Sequence, residues 1–222
     1  MRFKKILKEK NFTLFKNNKY PIYKICADNL YDLGMLFIRH QEFYESPKFK
    51  NKKFSMMEYM RWYVLDNDIS KSIFTYCEDW CGYNIPSTIL KKSVLDTPDI
   101  NLYDIIFDVL YQQILSDIGD SNFYLIGCLI DDSETMEHEI AHSFFFLNKE
   151  YKKEMKDAVK NLNKKEYNAL FKFLKNGYRE SVFVDEIQAY LSTGIPSELV
   201  TIISDKTIIK FEKIFYKYYN NI

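Results

Sequence analysis

A helix-rich α+β fold with a small sheet beside one strongly apolar helix is the architecture this sequence predicts, and three observations carry it. Apolar residues recur at helical spacing over long stretches, most clearly Leu102, Ile105, Ile106, Val109, Leu110 and Ile114. Strand-like patterning is confined to residues 12–26 and 122–130. Helix-start signals recur, with Ser55-Met56-Met57-Glu58 and Asn163-Lys164-Lys165-Glu166 both reading as capping boxes.

The elements follow in order. Phe12, Leu14, Tyr20, Ile22 and Ile25 alternate loosely around Asn17-Asn18-Lys19, which predicts a hairpin. Residues 28–39 predict a short helix capped by Asp28. Ser46-Pro47 and the lysines up to Lys53 form a loop. Ser55 then caps a helix, with Phe54 placed for a hydrophobic staple. Residues 68–86 read as irregular, and a long amphipathic helix covers about 99–117. Asn122 to Ile130 reads as a strand between Gly119-Asp120 and Asp131-Asp132. Helices follow at about 134–147, 149–162, 163 to near Gly177, 185–192 and 205–219. With no repeat, linker or composition break, the 222 residues are expected to form one domain. Within it, residues 1–95 make an α+β portion of open role and residues 96–222 the functional core.

Composition narrows the function classes. Hydrophobic residues make up 47% and charged residues 28%, which is globular rather than disordered composition. Net charge is zero, whereas a protein built on phosphate contacts carries a basic excess, so no nucleic-acid partner is expected. The basic start lacks the apolar run of a secretory signal, and no stretch approaches the ~20 apolar residues of a membrane span. The expected location is the cytoplasm, with Cys26, Cys77, Cys81 and Cys128 reduced.

The strongest chemical signal is His138-Glu139-Ile140-Ala141-His142, which holds two of the three histidines in the chain. Residues four apart share one helix face, so both imidazoles can reach one metal ion. Glu139 projects beside the pair, within reach of a water activated there, as a general base. Ile140, Ala141, Phe144, Phe145, Phe146 and Leu147 give this helix the apolar surface to bury itself.

These residues, over about 122–193, resemble the zincin metallopeptidases, in which an edge strand precedes a helix bearing this motif. The resemblance implies a zincin-like core with Zn2+ as cofactor, His138 and His142 as ligands, Glu139 as catalytic base, and a peptide or protein as substrate. A degenerate zincin that binds zinc without catalysis, as a sensor or interaction protein, is the alternative. The metzincin continuation is excluded, because Phe145 and Asn148 stand where its Gly and His would be.

A hydrolytic zinc site needs a third protein ligand and one open position. A gluzincin-like branch would take a Glu from a following helix, and Glu186 in Val184-Asp185-Glu186-Ile187-Gln188-Ala189-Tyr190 fits best. Small Ala189 would permit close packing there. Asp185 is the neighbouring candidate, as ligand or as acceptor for a ligand's N–H. His40 is a remote one. Glu186 also has a plainer role, since acidic residues in a helix's first turn offset its dipole. Tyr178, Tyr190 and Arg179 could donate to a developing oxyanion. Cys77 and Cys81 stand four apart but lack partner ligands, and read as thiols.

Overall fold

The computed structural model describes residues 11–65, 73–92, 97, 99–175 and 178–220. The chain forms two compact units, one of residues up to Lys16 with Pro21–Asp132, the other of Asn17–Tyr20 with Ser133–Ile222.

The first unit holds a four-stranded mixed sheet in the order β1-β2-β4-β3. Strand β1 (Thr13–Lys16) pairs antiparallel with β2 (Ile22–Ala27), as the expected hairpin requires. Its turn is closed by Asn17 Oδ1, which accepts from the Lys19 and Tyr20 amides at 2.8 Å each. Strand β4 (Tyr124–Leu129) runs parallel to β2 with Cys26 opposite Cys128, and antiparallel to β3 (Tyr83–Pro86). The strand before the His-bearing helix is therefore interior, not the edge strand that the resemblance implied. Its nearly uninterrupted burial agrees with a position between two neighbours. The edges are β1 and β3, and β3 falls in the stretch expected to be irregular. Four residues ending in proline carry too little alternation to read as a strand, and proline is tolerated at a sheet edge.

Helix α1 (Leu30–Glu45) is longer than residues 28–39, and its cap is Asn29, not Asp28. Asn29 Oδ1 accepts from the Asp32 amide at 2.8 Å. The helix approaches the sheet so closely that a Cβ on Gly127 would lie 2.5 Å from the Phe37 ring. Phe37 also stacks on Tyr83 and meets Phe107 edge-on. Helix α2 (Met56–Leu65) starts at Ser55, whose Oγ accepts from the Glu58 amide at 3.1 Å. Two single-turn helices, α3 (Tyr76–Asp79) and α4 (Ser87–Leu90), flank β3. Helix α5 (Leu102–Ile118) opens on a full capping box of Asn101 and Asp104. Buried Arg39 joins these pieces, donating to Asp104 at 2.8 Å, Asp99 at 2.9 Å and the Phe54 carbonyl at 2.7 Å.

The second unit is helical: α6 (Ser133–Leu147), α7 (Lys149–Lys160), α8 (Lys164–Leu174), α9 (Phe183–Thr193) and α10 (Asp205–Tyr219). Its core is aromatic, with Phe144 meeting Tyr151, Phe215 and Tyr218. Tyr20, from the hairpin turn, packs edge-on against Phe144 at 5.1 Å. The expected capping box at Asn163 is half formed. Asn163 caps the Glu166 amide, but the Glu166 carboxylate turns instead to the Ser204 amide and the Ser204 and Thr207 hydroxyls, capping α10. Gly177, the expected stop of α8, lies outside the described residues. Among the described residues no helix is long and apolar enough to cross a membrane.

Candidate metal centre

Helix α6 buries Ile140, Ala141, Phe144 and Phe145, which fixes its rotation and turns His138 and His142 to a common side. Helix α9 packs along it, starting two residues earlier than expected and burying Ile187, Ala189 and Leu191. Ala189 is fully buried, as close packing of the two helices demands. Glu186 faces the histidine pair. His138, His142 and Glu186 each offer one ligand atom, and these lie within 4.8 Å of one another.

The separations are close to those a single ion would impose. The two Nε2 atoms are 3.2 Å apart. Glu186 Oε1 is 3.8 Å from His142 Nε2, and its Oε2 is 4.0 Å from His138 Nε2. A tetrahedral ion about 2.1 Å from each ligand would hold them about 3.4 Å apart, so small side-chain adjustments close the shell.

The outer nitrogens explain why the inner ones converge. His142 Nδ1 lies 2.9 Å from Asp185 Oδ1, a carboxylate that can only accept, so the ring's Nδ1–H donates to it. Thr193 Oγ1 donates to the Ala189 carbonyl at 2.9 Å, leaving its lone pairs for His138 Nδ1 at 3.4 Å. This network assigns the Nδ1–H tautomer to both rings and turns both Nε2 atoms inward. Two such nitrogens at 3.2 Å repel unless a proton or a metal cation lies between them. Burial opposes charge on His142, but Asp185, Glu186 and Glu139 together outweigh it and hold its pKa well above the usual value. Burial, and then the positive His142, push His138 down to about 3. The pocket therefore favours one positive charge at its centre. Two neutral imidazoles and a carboxylate are also a donor set that a divalent ion of the zinc kind accepts.

Glu139 is buried beside the pair, and its charge acts on His142, Tyr178 and Tyr190. The Tyr190 ring lies 4.8 Å from the His138 ring, and its hydroxyl is 3.0 Å from that of Tyr178. Burial raises both phenol pKa values, with Glu186 and Glu139 adding to the effect, so both remain donors at neutral pH. Arg179 is exposed, ahead of the 3-10 turn Glu180–Val182.

Of the third-ligand candidates, the structure brings Glu186 to the pair, and Asp185 to the outer nitrogen of His142. His40 belongs to the first unit, where it stacks on Phe107 at 3.8 Å. Cys77 packs beneath Gly34 and Cys81 is exposed. Sequence reasoning missed Thr193, Gln188 and Tyr151. Gln188 Nε2 donates to Asp185 Oδ1 at 3.0 Å, and Tyr151 donates to Gln188 Oε1 at 2.6 Å. The three-residue spacing from Asp185 to Gln188 was a signal for the first of these contacts, but nothing in the sequence linked Tyr151 to them. Comparison with family models, with curated proteins and with solved structures finds no match to this chain.

Proposed function

We propose that this protein is a zinc-dependent hydrolase of zincin type that cleaves peptide bonds. The observation that supports it most is the convergence of two tautomer-fixed imidazoles and the Glu186 carboxylate on one point, with Glu139 buried beside them. His138, His142 and Glu186 would hold the ion, leaving one position for substrate or water. Zinc bound there supplies Lewis acidity, polarising a carbonyl and acidifying water. Glu139 takes the proton of the attacking water and passes it to the leaving amine nitrogen. The Tyr178 and Tyr190 hydroxyls share one hydrogen bond, which leaves one of their two protons to donate toward the oxyanion that develops on the scissile carbonyl. The zero net charge favours a peptide or protein substrate over a nucleic acid.

The test begins with elemental analysis of the purified protein. About one zinc per chain is expected, lost in His142→Ala and Glu186→Ala. Glu139→Gln should keep the metal and lower peptide turnover by roughly 10²–10⁴-fold. A peptide library with and without chelator supplies the readout. Zinc retained by Glu186→Ala, or full turnover in Glu139→Gln, overturns the assignment. Zinc bound without turnover in the wild type would turn the reading to a non-catalytic zinc-binding protein.

A further inference from the structure

Asp185 precedes Glu186, carries a full carboxylate and stands one ring away from the candidate metal position. Nothing about residue type prevents it from swinging in as a fourth protein ligand, which would close the site. What it does instead is set by residues outside the cluster. Gln188 lies one helical turn on from Asp185, on the same face, and donates Nε2–H to Asp185 Oδ1 at 3.0 Å. That same oxygen receives Nδ1–H of His142 at 2.9 Å. A side-chain amide can present either end, but the Asp185 carboxylate only accepts, so the amide nitrogen must face it. That leaves Oε1 to accept from the Tyr151 hydroxyl at 2.6 Å, which anchors the far end of the amide. Both Tyr151 and Gln188 are fully buried. The Tyr151 phenol stays protonated, because burial holds its pKa well above the usual value.

We propose that Gln188, locked by Tyr151, is a positioning residue that holds Asp185 on the outer nitrogen of His142. This rests on the zinc reading above. The relay runs from α7 through α9 to α6, and it fixes the orientation of a ligand ring by way of residues that touch no ion. Such outer partners affect affinity through the ligand they orient. Gln188 should then matter only while Asp185 is there to be held.

The experiment is a double-mutant cycle on metal affinity, read by Co2+ absorption and by zinc competition with a chromophoric chelator. Gln188→Met keeps volume and removes both polar ends. It should weaken binding roughly tenfold, and Asp185→Ala by roughly 10- to 100-fold. The double variant should be no weaker than Asp185→Ala alone, because both changes break one relay. Tyr151→Phe, which deletes a single hydroxyl, should show a smaller loss with the same dependence on Asp185. It serves as the test if Gln188→Met does not fold by circular dichroism. The Co2+ spectrum of the wild type should change on adding a small anion such as azide, as an open position allows. Losses that add in the double variant, or unchanged affinity in both Gln188→Met and Tyr151→Phe, overturn the proposal and leave the zinc reading standing. A wild-type protein that binds neither Co2+ nor zinc overturns both.

Discussion

His40 lies flat on Phe107, and burial together with the neighbouring Arg39 guanidinium lowers its pKa to about 3, against an ordinary 6.5. The folded chain keeps it neutral where the unfolded chain would protonate it. Stability from this group is therefore complete above pH 6.5 and is lost as pH falls toward 3, by up to about 5 kcal/mol. Glu42, two residues on, acts in the opposite sense. Burial raises its carboxyl to about 7, so its contribution is complete below pH 4.5 and lost as pH rises toward 7. Between pH 6.5 and 4.5 the two trends oppose each other, so His40→Phe should leave the Glu42 trend alone and make the melting temperature rise on acidification. An unchanged pH profile in His40→Phe would show that His40 contributes none of it. At this scale the sequence disclosed what lies within one turn of one helix. His138, Glu139 and His142 were legible because spacing alone puts them together. Glu186 was legible only as a search for a missing ligand. The tie between Gln188 and Tyr151 was not legible, because that contact exists only once α7 lies against α9.

Helix starts were readable where a side chain caps its own helix, as at Ser55 and Asn163. They were misread where a neighbour competes, as at Asp28 and Asn29, or where the carboxylate of a box serves another helix, as Glu166 does. Strand β3 escaped because four residues at a sheet edge are defined by their pairing to β4, not by their own pattern. Two substitutions probe how the elements are joined. Gly127→Ala should destabilise the first unit by about 1–3 kcal/mol, because the added methyl meets the Phe37 ring that α1 lays on the sheet. Thermal or urea unfolding would show it, and a neutral result would mean that α1 can move away at little cost. Asn101→Ala removes one neutral cap from α5 and should lose about 1 kcal/mol. Asp104→Ala removes that box and a partner of buried Arg39, and should lose about 3 kcal/mol or more. Equal losses in the two variants would show that the ion pair adds nothing beyond the cap.

At the scale of the whole chain, the helix-rich α+β class and the order of most elements could be read from periodicity, since burying one face dictates the period. The division into two units could not, because composition does not change at Asp132 and the assignment depends on which residues pack together. The units give different handles on stability. His138, His142 and Glu186 all belong to the second unit, so on the zinc proposal an excess of zinc a hundredfold over its dissociation constant should stabilise that unit by about 2.7 kcal/mol. Hydrogen exchange with and without zinc should show that protection at amides in residues 133–220. Protection spread evenly over residues 21–132 as well would mean that the chain unfolds as one cooperative body.

The hairpin tip at residues 17–20 carries a consequence for anyone cutting or grafting this chain. Exposed turns between two strands are ordinarily the safest places to splice in a tag or a loop. This one lends a ring to Phe144, two positions beyond His142. The unit that carries His138, His142 and Glu186 is thus written in two separate passages of the sequence. A fragment starting at Ser133 would leave one passage behind, and a tag spliced in at Asn18 would pull it away from the helix that presents the histidines.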